Sequence, residues 1–186
     1  LIEGTINAVN SIFKWLENYL KISHKTMEWE KRCETTTTNG VIIPGFTSIS
    51  SPHWFQPQKT YFFNLNNATN DEIIRASMEF IGYLAYDIIF KIKQSGYNIL
   101  EIKSGGGGAR IPLLQFISDL TNIPIKISKT KDNTAIGVYS LLYKKWFGCF
   151  PKQSDSFEKN LKPQMPIISK EKKIKDWKES LRKVKI

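Results

Sequence analysis

The sequence predicts a layered α/β domain with parallel strand pairing, because short apolar strands alternate with helices in its second half. Two strand candidates end at Ile102 and Ile127, and each precedes a segment with apolar residues at helical spacing. Four consecutive glycines, residues 105–108, turn the chain between the first strand and its helix. This order is typical of sheets covered by helices, in which ligands gather beyond the carboxyl ends of the strands.

The first half of the chain predicts two helices and two strands. Apolar residues three and four apart, beginning at Ile6, predict a helix over residues 5–22. Short apolar runs predict strands at residues 41–43 and 61–65. Thr69 followed by Glu72 forms a capping box, and the helix that it opens is predicted to reach Gly96.

The elements of the second half are predicted to follow one another closely. Strands are expected at residues 99–102 and 124–127, and a helix with Pro112 near its start is expected to end at about Thr121. A further buried helical face, closed by Gly148, is predicted from Ala135, Tyr139, Leu142 and Trp146. Residues 151–166 are predicted to be a polar connection, and the final amphipathic helix carries Ile174, Trp177, Leu181 and Val184.

The composition argues against several classes of protein. The 186 residues, 41% of them hydrophobic, suffice for one core, and they contain no membrane-length apolar run and no secretion signal, so we expect a cytoplasmic protein. Cys33 and Cys149 lie far apart without metal-ligand spacing, which favours neither a zinc site nor a disulfide framework. About half of the net charge of +10 falls in residues 170–185, which a solvated helix explains better than a nucleic-acid contact.

The glycine turn (residues 105–108) is the clearest candidate for ligand binding. Backbone without Cβ atoms at the start of a helix lets a flat or anionic ligand approach closely. The spacing fails the dinucleotide fingerprint, because Arg110 stands where the third glycine belongs, and it lacks the Gly-Lys-Ser/Thr ending of a phosphate-binding loop. From the residues alone, a tight structural turn and a nucleotide-binding turn are both open.

Residues 105–119 resemble the C-terminal signature of the FGGY carbohydrate kinases. Other stretches resemble the same family in the same order: Glu3-Gly4 leading to Lys14-Trp15-Leu16, residues 44–46 and 52–54, Arg75-Ala76 with Glu79, and residues 134–137. Five ordered motifs at family-like separations, over nearly the whole chain, make the resemblance specific.

The resemblance implies an actin-like, ribonuclease H-like ATPase lobe with a mixed sheet flanked by helices. In this family the first lobe supplies most of the substrate site and of catalysis, and the second lobe holds most of the adenosine; this chain resembles the second. The implied division is a nucleotide-binding lobe over residues 1–168 and a basic helix over residues 169–186. ATP and Mg²⁺ are the implied cofactors, with Mg²⁺ bound mainly through the first lobe.

The resemblance also implies which residues contact the nucleotide. Gly105, Gly106 and Gly107 are expected at the adenosine, and Arg110 falls where glycerol kinases have an adenine-contacting Asn. Asn10 and Lys14 fall where a Gly and a Gln of the first helix approach the nucleotide. The bulk of Asn10 and Arg110 could alter or abolish binding. The cations Lys14 and Arg110 suit either a phosphate or plain solvated surface.

The implied function is phosphoryl transfer from ATP to a hydroxyl of a small carbohydrate, with glycerol slightly ahead of xylulose or gluconate. No catalytic residue is assigned, because the family's Asp-x-Gly-Thr turn and catalytic Asp belong to the first lobe. Glu79, early in its helix, and Asp119 are predicted to be structural, and this half alone is expected to be inactive. The expected partners are the carbohydrate, the N-terminal lobe and further copies in a homo-oligomer. A degenerate lobe that only binds is an alternative, and a basic nucleic-acid binder ranks last.

Overall fold

The structure is a computed structural model that describes residues 2–7, 9–130, 132–152 and 157–185. These residues form helices and strands in the order α1 (Val9–Leu20), α2 (His24–Met27), α3 (Trp29–Thr35), β1 (Val41–Ile43), β2 (Tyr61–Phe63), α4 (Asn70–Gln94), β3 (Ile102–Ser104), α5 (Ile111–Thr121), β4 (Ile125–Ser128), α6 (Asn133–Phe147), β5 (Phe157–Leu161) and α7 (Ile167–Val184). Within this part of the chain, no helix has the length and apolar character to cross a bilayer.

The strands form two small sheets. β1 and β2 pair antiparallel, with Ile42 opposite Phe62. β3 and β4 pair parallel, with Lys103 opposite Lys126, and β5 adds antiparallel to the other side of β4. Since α5 connects the two parallel strands, this segment is a strand–helix–strand crossover unit, as the alternating pattern predicts. The mixed sheet and its helices confirm the predicted α/β class.

The core is centred on α4, where three helices share a cluster of aromatic rings. The completely buried indole of Trp177 in α7 stacks on Tyr83 of α4, with 5.0 Å between ring centroids. Phe116 of α5 meets Tyr83 edge-on at 5.3 Å. The indole Nε1 of Trp177 donates a 2.7 Å hydrogen bond to Asp87, so its polar atom is satisfied inside the core.

A buried ion-pair network joins α4 to α7. The carboxylate of Glu79 is completely buried and lies 2.8 Å from Arg75 Nε and 2.7 Å from Lys173 Nζ. Lys173 also donates to the carbonyl oxygen of Thr38, and Arg75 donates to that of Cys33. Glu79 has a structural role, as predicted, but its predicted stabilisation by the start of the helix is wrong. The residue lies in the third turn of α4, beyond the reach of the helix dipole. Two cations compensate its charge instead.

Burial changes the titration of two groups beside this network. It raises the pKa of the Cys33 thiol from its ordinary 9.0 to about 12, because the charged thiolate loses its hydration there. Burial, helped by the neighbouring Glu79 carboxylate, also raises the pKa of the Tyr83 hydroxyl. Both groups therefore stay neutral at physiological pH, as core residues do.

Most predicted elements are confirmed with small changes at their ends. The capping box is present, because Glu72 N donates to Thr69 Oγ1 and Thr69 N donates to Glu72 Oε2. The helix predicted over residues 5–22 is shorter, since α1 spans Val9–Leu20. The final amphipathic helix is confirmed as α7, which buries Trp177, Leu181 and Val184.

Three segments differ from the prediction. β3 begins only at Ile102, and Leu100 is 76% exposed, because nothing in the described part of the chain covers this end of the apolar run. The segment predicted to be a connection, residues 151–166, contains β5. The strand was not predicted because most of its side chains are polar and exposed, and it is held by backbone pairing with β4. Helices α2 and α3 lie in a segment for which no element is predicted.

The predicted buried face of α6 is wrong. The helix exists and ends at Gly148 in the left-handed conformation, as expected. However, Ala135, Tyr139, Leu142 and Trp146 are all exposed, and Trp146 shows 72% of its surface to solvent. Periodicity identifies an apolar face but not the layer that covers it, and within the described residues no such layer is present.

Candidate functional site

The glycine turn lies at the edge of the sheet where two parallel strands end. β3 ends at Ser104 just before the turn, and α5 begins just after it at Ile111. Neighbouring β4 ends at Ser128, and α6 begins at Asn133. Because β3 and β4 are parallel, both carboxyl ends and both following helix N-termini meet at one edge. This is the position at which α/β proteins bind ligands.

The backbone of the turn is open at three of its four glycines. Gly106 has a φ of +89°, a conformation that favours glycine over residues with a Cβ. The turn is held by hydrogen bonds from Ala109 N to Gly106 O and from Arg110 N to Gly108 O, at 3.2 and 2.9 Å. A Cβ placed on Gly106, Gly107 or Gly108 would meet no atom within 4 Å. The turn therefore presents bare backbone to solvent instead of being sealed under side chains.

Gly105 differs from the other three glycines. A Cβ there would collide with the side-chain amide of Asn133, at the start of α6, and would lie 3.5 Å from the Cβ of Ser128. The absence of a side chain at Gly105 thus allows α6 to begin directly beside the turn. The backbone of Gly105 is exposed, so a ligand could reach it. Its expected contact with adenosine stays a prediction.

Arg110 stands on the α5 side of the turn. It is the N-cap residue of α5, and its guanidinium Nη1 lies 3.2 Å from Glu30 Oε1 of α3. Both side chains are about half exposed, and such an ion pair contributes little to stability. The Arg110 guanidinium can therefore leave Glu30 at little cost, and a guanidinium can bind a phosphate in a bidentate manner. The N-terminus of α5 adds a positive dipole end at the same place.

Asn133 and its neighbour Asp132 stand on the α6 side. Asp132 caps α6, because its Oδ1 accepts a 2.9 Å hydrogen bond from Ala135 N. Asn133 places a carboxamide, both donor and acceptor, against Gly105. The edge thus combines a bare backbone surface, the Arg110 guanidinium with its Glu30 partner, the Asn133 carboxamide and two helix N-termini, one of which is capped by Asp132. These groups suit a flat heterocycle joined to an anionic group.

Asn10 and Lys14 are less directly connected to the turn. Both are exposed on α1, on the side away from the buried Phe13 and Leu16. α1 is connected to the turn through α3, because Phe13 stacks on Trp29 at 4.6 Å and the adjacent Glu30 pairs with Arg110. Their expected approach to a nucleotide stays a prediction.

Other polar residues singled out in the sequence have local partners. Asp119 accepts hydrogen bonds from Gln164 N and Gln115 Nε2, at 2.7 and 2.9 Å. The bond from Gln164 fixes the segment before α7 to α5. His53 is packed, with its Nε2 2.8 Å from Asp87 Oδ2. Among the described residues, no three His, Cys, Asp or Glu side chains are grouped to hold a metal ion.

Two groups at the site, Asn133 and Glu30, were not predicted from the sequence. Asp132-Asn133 after a strand is a recognisable helix start, so the position of Asn133 could have been found from the capping preference of Asp. Glu30 carries no such signal. It reaches Arg110 only because α3 packs beside α5, a tertiary arrangement that no local pattern encodes.

Comparison with known proteins is consistent with this geometry. The chain is 32% identical over 141 residues to a glycerol kinase from Limosilactobacillus reuteri, which covers 73% of the chain and 28% of that protein. Its fold matches a glycerol kinase from Plasmodium falciparum solved with ADP, with a TM-score of 0.79 and 23% identity, over 97% of the chain and 38% of that protein. A ligand-bound xylulose kinase from Lactobacillus acidophilus gives a TM-score of 0.73 at 17% identity, over 94% of the chain and 36% of that protein.

These proteins have the actin-like ATPase fold, which is therefore the fold of this chain, as the resemblance implies. The chain spans less than two fifths of the length of each of the three. Residues 1–143 match the family model described as the C-terminal domain of the FGGY family of carbohydrate kinases. The chain belongs to the FGGY family of carbohydrate kinases and represents its C-terminal domain.

Proposed function

We propose that this chain is the adenosine-binding half of an ATP-dependent kinase that phosphorylates a hydroxyl group of a small carbohydrate. Glycerol is the first candidate substrate, because curated relatives that are 28% and 32% identical to this chain are glycerol kinases. Xylulose and gluconate are the alternatives, because solved structures with a similar fold are xylulose and gluconate kinases. The observation that carries the proposal is the open backbone at Gly106, Gly107 and Gly108, at the carboxyl edge of a parallel strand pair.

In the proposed complex, the purine lies against the bare backbone of the glycine turn. Arg110 and the N-terminus of α5 attract the phosphates, and the Asn133 carboxamide offers hydrogen bonds beside Gly105. Mg²⁺, the carbohydrate and the catalytic base belong to the N-terminal lobe. Phosphoryl transfer depends on positioning and on charge stabilisation between two lobes, so the isolated half is inactive. Asn10 and Lys14 are proposed to reach the same nucleotide from α1.

The proposal is tested by isothermal titration calorimetry of the full-length gene product with ADP and Mg²⁺. Gly107 is the position chosen for substitution, because its backbone is not in the left-handed region and a Cβ there would meet no atom within 4 Å. Gly107→Gln is therefore expected to leave the fold intact. We expect Gly107→Gln to weaken ADP binding by about tenfold or more, which corresponds to about 1.4 kcal/mol. Asn98→Gln, also exposed but before β3 at the opposite edge of the sheet, is the matched control.

Two results would contradict the proposal. One is unchanged ADP affinity in Gly107→Gln, and the other is an equal loss in Asn98→Gln. A degenerate lobe is the second candidate, and it is favoured by Arg110, which stands where glycerol kinases have an Asn and is tied to Glu30. For that candidate we expect no ADP binding by the folded wild-type protein, and a gain of binding in Arg110→Asn.

A further inference from the structure

A polar cleft of about 500 Å³ lies between the start of α4, the start of α7 and the segment before β1. Its lining comes from residues 37–39, from the first turns of α4 and from residues 165–173. Of the described residues that line it, none lies in the glycine turn, α1, α5 or α6, so the cleft is separate from the candidate nucleotide site. A volume of this size is within the range of small-molecule binding sites.

The inner part of the cleft carries more positive than negative charge. Arg75 and Lys173, each with 15% of its side chain exposed, share the single carboxylate of Glu79. Their further hydrogen bonds go to neutral groups, the carbonyl oxygens of Cys33 and Thr38. Two largely buried cations thus face one carboxylate. An anion that enters the cleft is attracted more strongly than at an open surface, because these charges are partly shielded from water.

The remaining charged groups of the lining leave this excess in place. Lys172 adds a further cation, which is 54% exposed and lies 2.8 Å from Asp176 Oδ2 and 3.2 Å from Asn39 Oδ1. An exposed pair of this kind contributes little to stability, so the ammonium group of Lys172 can turn to a ligand at little cost. The second carboxylate, Glu72, is engaged in the capping box, where its Oε2 accepts a 2.9 Å hydrogen bond from Thr69 N.

Neutral hydrogen-bonding groups complete the lining. They are the hydroxyl groups of Thr37 and Ser169 and the carboxamide of Asn39. Such groups suit the hydroxyl groups of a ligand, whereas the cations suit a phosphate. An inorganic phosphate ion alone would fill only a small part of a cleft of about 500 Å³.

We propose that this cleft is a second ligand site, which binds a phosphate monoester of a small polyol or sugar. The phosphate lies between Lys172 and the cations beside Glu79, and the hydroxyl groups of the ester meet Thr37, Asn39 and Ser169. The ligand bridges the segment before β1, α4 and α7. The inference does not rest on the proposed kinase function, because the cleft and the glycine turn share no residue.

The test is isothermal titration calorimetry of the 186-residue chain with glycerol 3-phosphate. Glycerol and inorganic phosphate, at the same ionic strength, are the comparison probes. Lys172→Met removes the exposed cation of the cleft and is expected to leave the fold intact. Lys175→Met is the matched control, because Lys175 is 73% exposed on the same helix and does not line the cleft. Gly107→Gln tests whether the ester binds at the glycine turn instead.

We expect saturable binding of glycerol 3-phosphate that is about tenfold or more weaker in Lys172→Met and unchanged in Lys175→Met and Gly107→Gln. Glycerol should bind at least about tenfold more weakly than its ester, because it carries no charge to meet the cations. The absence of saturable binding, an equal loss in Lys175→Met, or glycerol binding as tightly as its ester would overturn the inference.

Two further results would also overturn it. A loss of binding in Gly107→Gln but not in Lys172→Met would place the ester at the glycine turn. Inorganic phosphate that binds as tightly as the ester would show that the hydroxyl groups make no contact and that the ligand class is wrong. No nucleotide is present in these titrations, so a failure of this site and a failure of ADP binding are separate results.

Discussion

The buried carboxylate of Glu79 allows a sharp test of how α7 is fixed to the domain. Lys173→Met removes one of its two cations and keeps a side chain of similar length and apolar character. The variant leaves the completely buried Glu79 with Arg75 as its one cation among the described residues, and the Thr38 carbonyl loses its 2.9 Å donor. Removing one partner of a buried ion pair costs about 3–5 kcal/mol. Because Arg75 stays in place and Lys173 is 15% exposed, we expect about 3 kcal/mol, the lower end of this range.

The assay is urea unfolding of the 186-residue chain, followed by circular dichroism. With a denaturant slope of about 2 kcal/mol/M, the expected loss lowers the midpoint by about 1.5 M. The matched control is the preceding residue, because Lys172 is 54% exposed and its partners among the described residues are Asp176 and Asn39 at the surface. Lys172→Met should cost less than about 0.5 kcal/mol. If the two variants unfold within about 0.5 kcal/mol of each other, the buried network does not fix α7.

Three further predictions concern single groups. In the folded chain at pH 8, N-ethylmaleimide should modify the exposed Cys149 and spare Cys33, because Cys33 is buried and its pKa of about 12 keeps it in the unreactive thiol form. Modification of both cysteines at similar rates would contradict the burial of Cys33. Folding raises the pKa of Cys33, so the unfolded chain loses the thiol proton first, and the free energy of unfolding should fall as pH rises from 9.0 towards 12. The fall should be smaller in Cys33→Ala. The same pH dependence in both proteins would refute this linkage. Thr69→Ala removes the cap of α4 and should cost about 1 kcal/mol in urea unfolding, whereas an unchanged midpoint would show that the capping box is not stabilising.

Local patterns predicted the elements that carry their own signals. The capping box of Thr69 and Glu72 located the start of α4, and Pro112 and Gly148 located the ends of two other helices. Short apolar runs predicted the strands at residues 41–43 and 124–127, and the apolar side chains Ile42, Ile125 and Ile127 are buried in the structure. In each case the local preference and the tertiary environment favour the same conformation.

Tertiary arrangements account for what the sequence analysis missed. β5 is held by backbone pairing with β4, and its exposed polar side chains give no strand signal. The exposure of α6 was unpredictable because an apolar stripe has the same pattern whether it faces its own core or another lobe. At the candidate site, the glycine turn was found from four adjacent residues, whereas Glu30 reaches Arg110 from 80 positions away.

The proposed function requires that a purine nucleoside lie against the backbone of the glycine turn. A crystal structure of the full-length protein with ADP would show where the nucleoside binds. We expect the adenine ring within van der Waals distance of Gly106 and Gly107, with the phosphates directed towards Arg110 and the N-terminus of α5. ADP bound elsewhere, with the glycine turn covered by side chains of the other lobe, would contradict the claim.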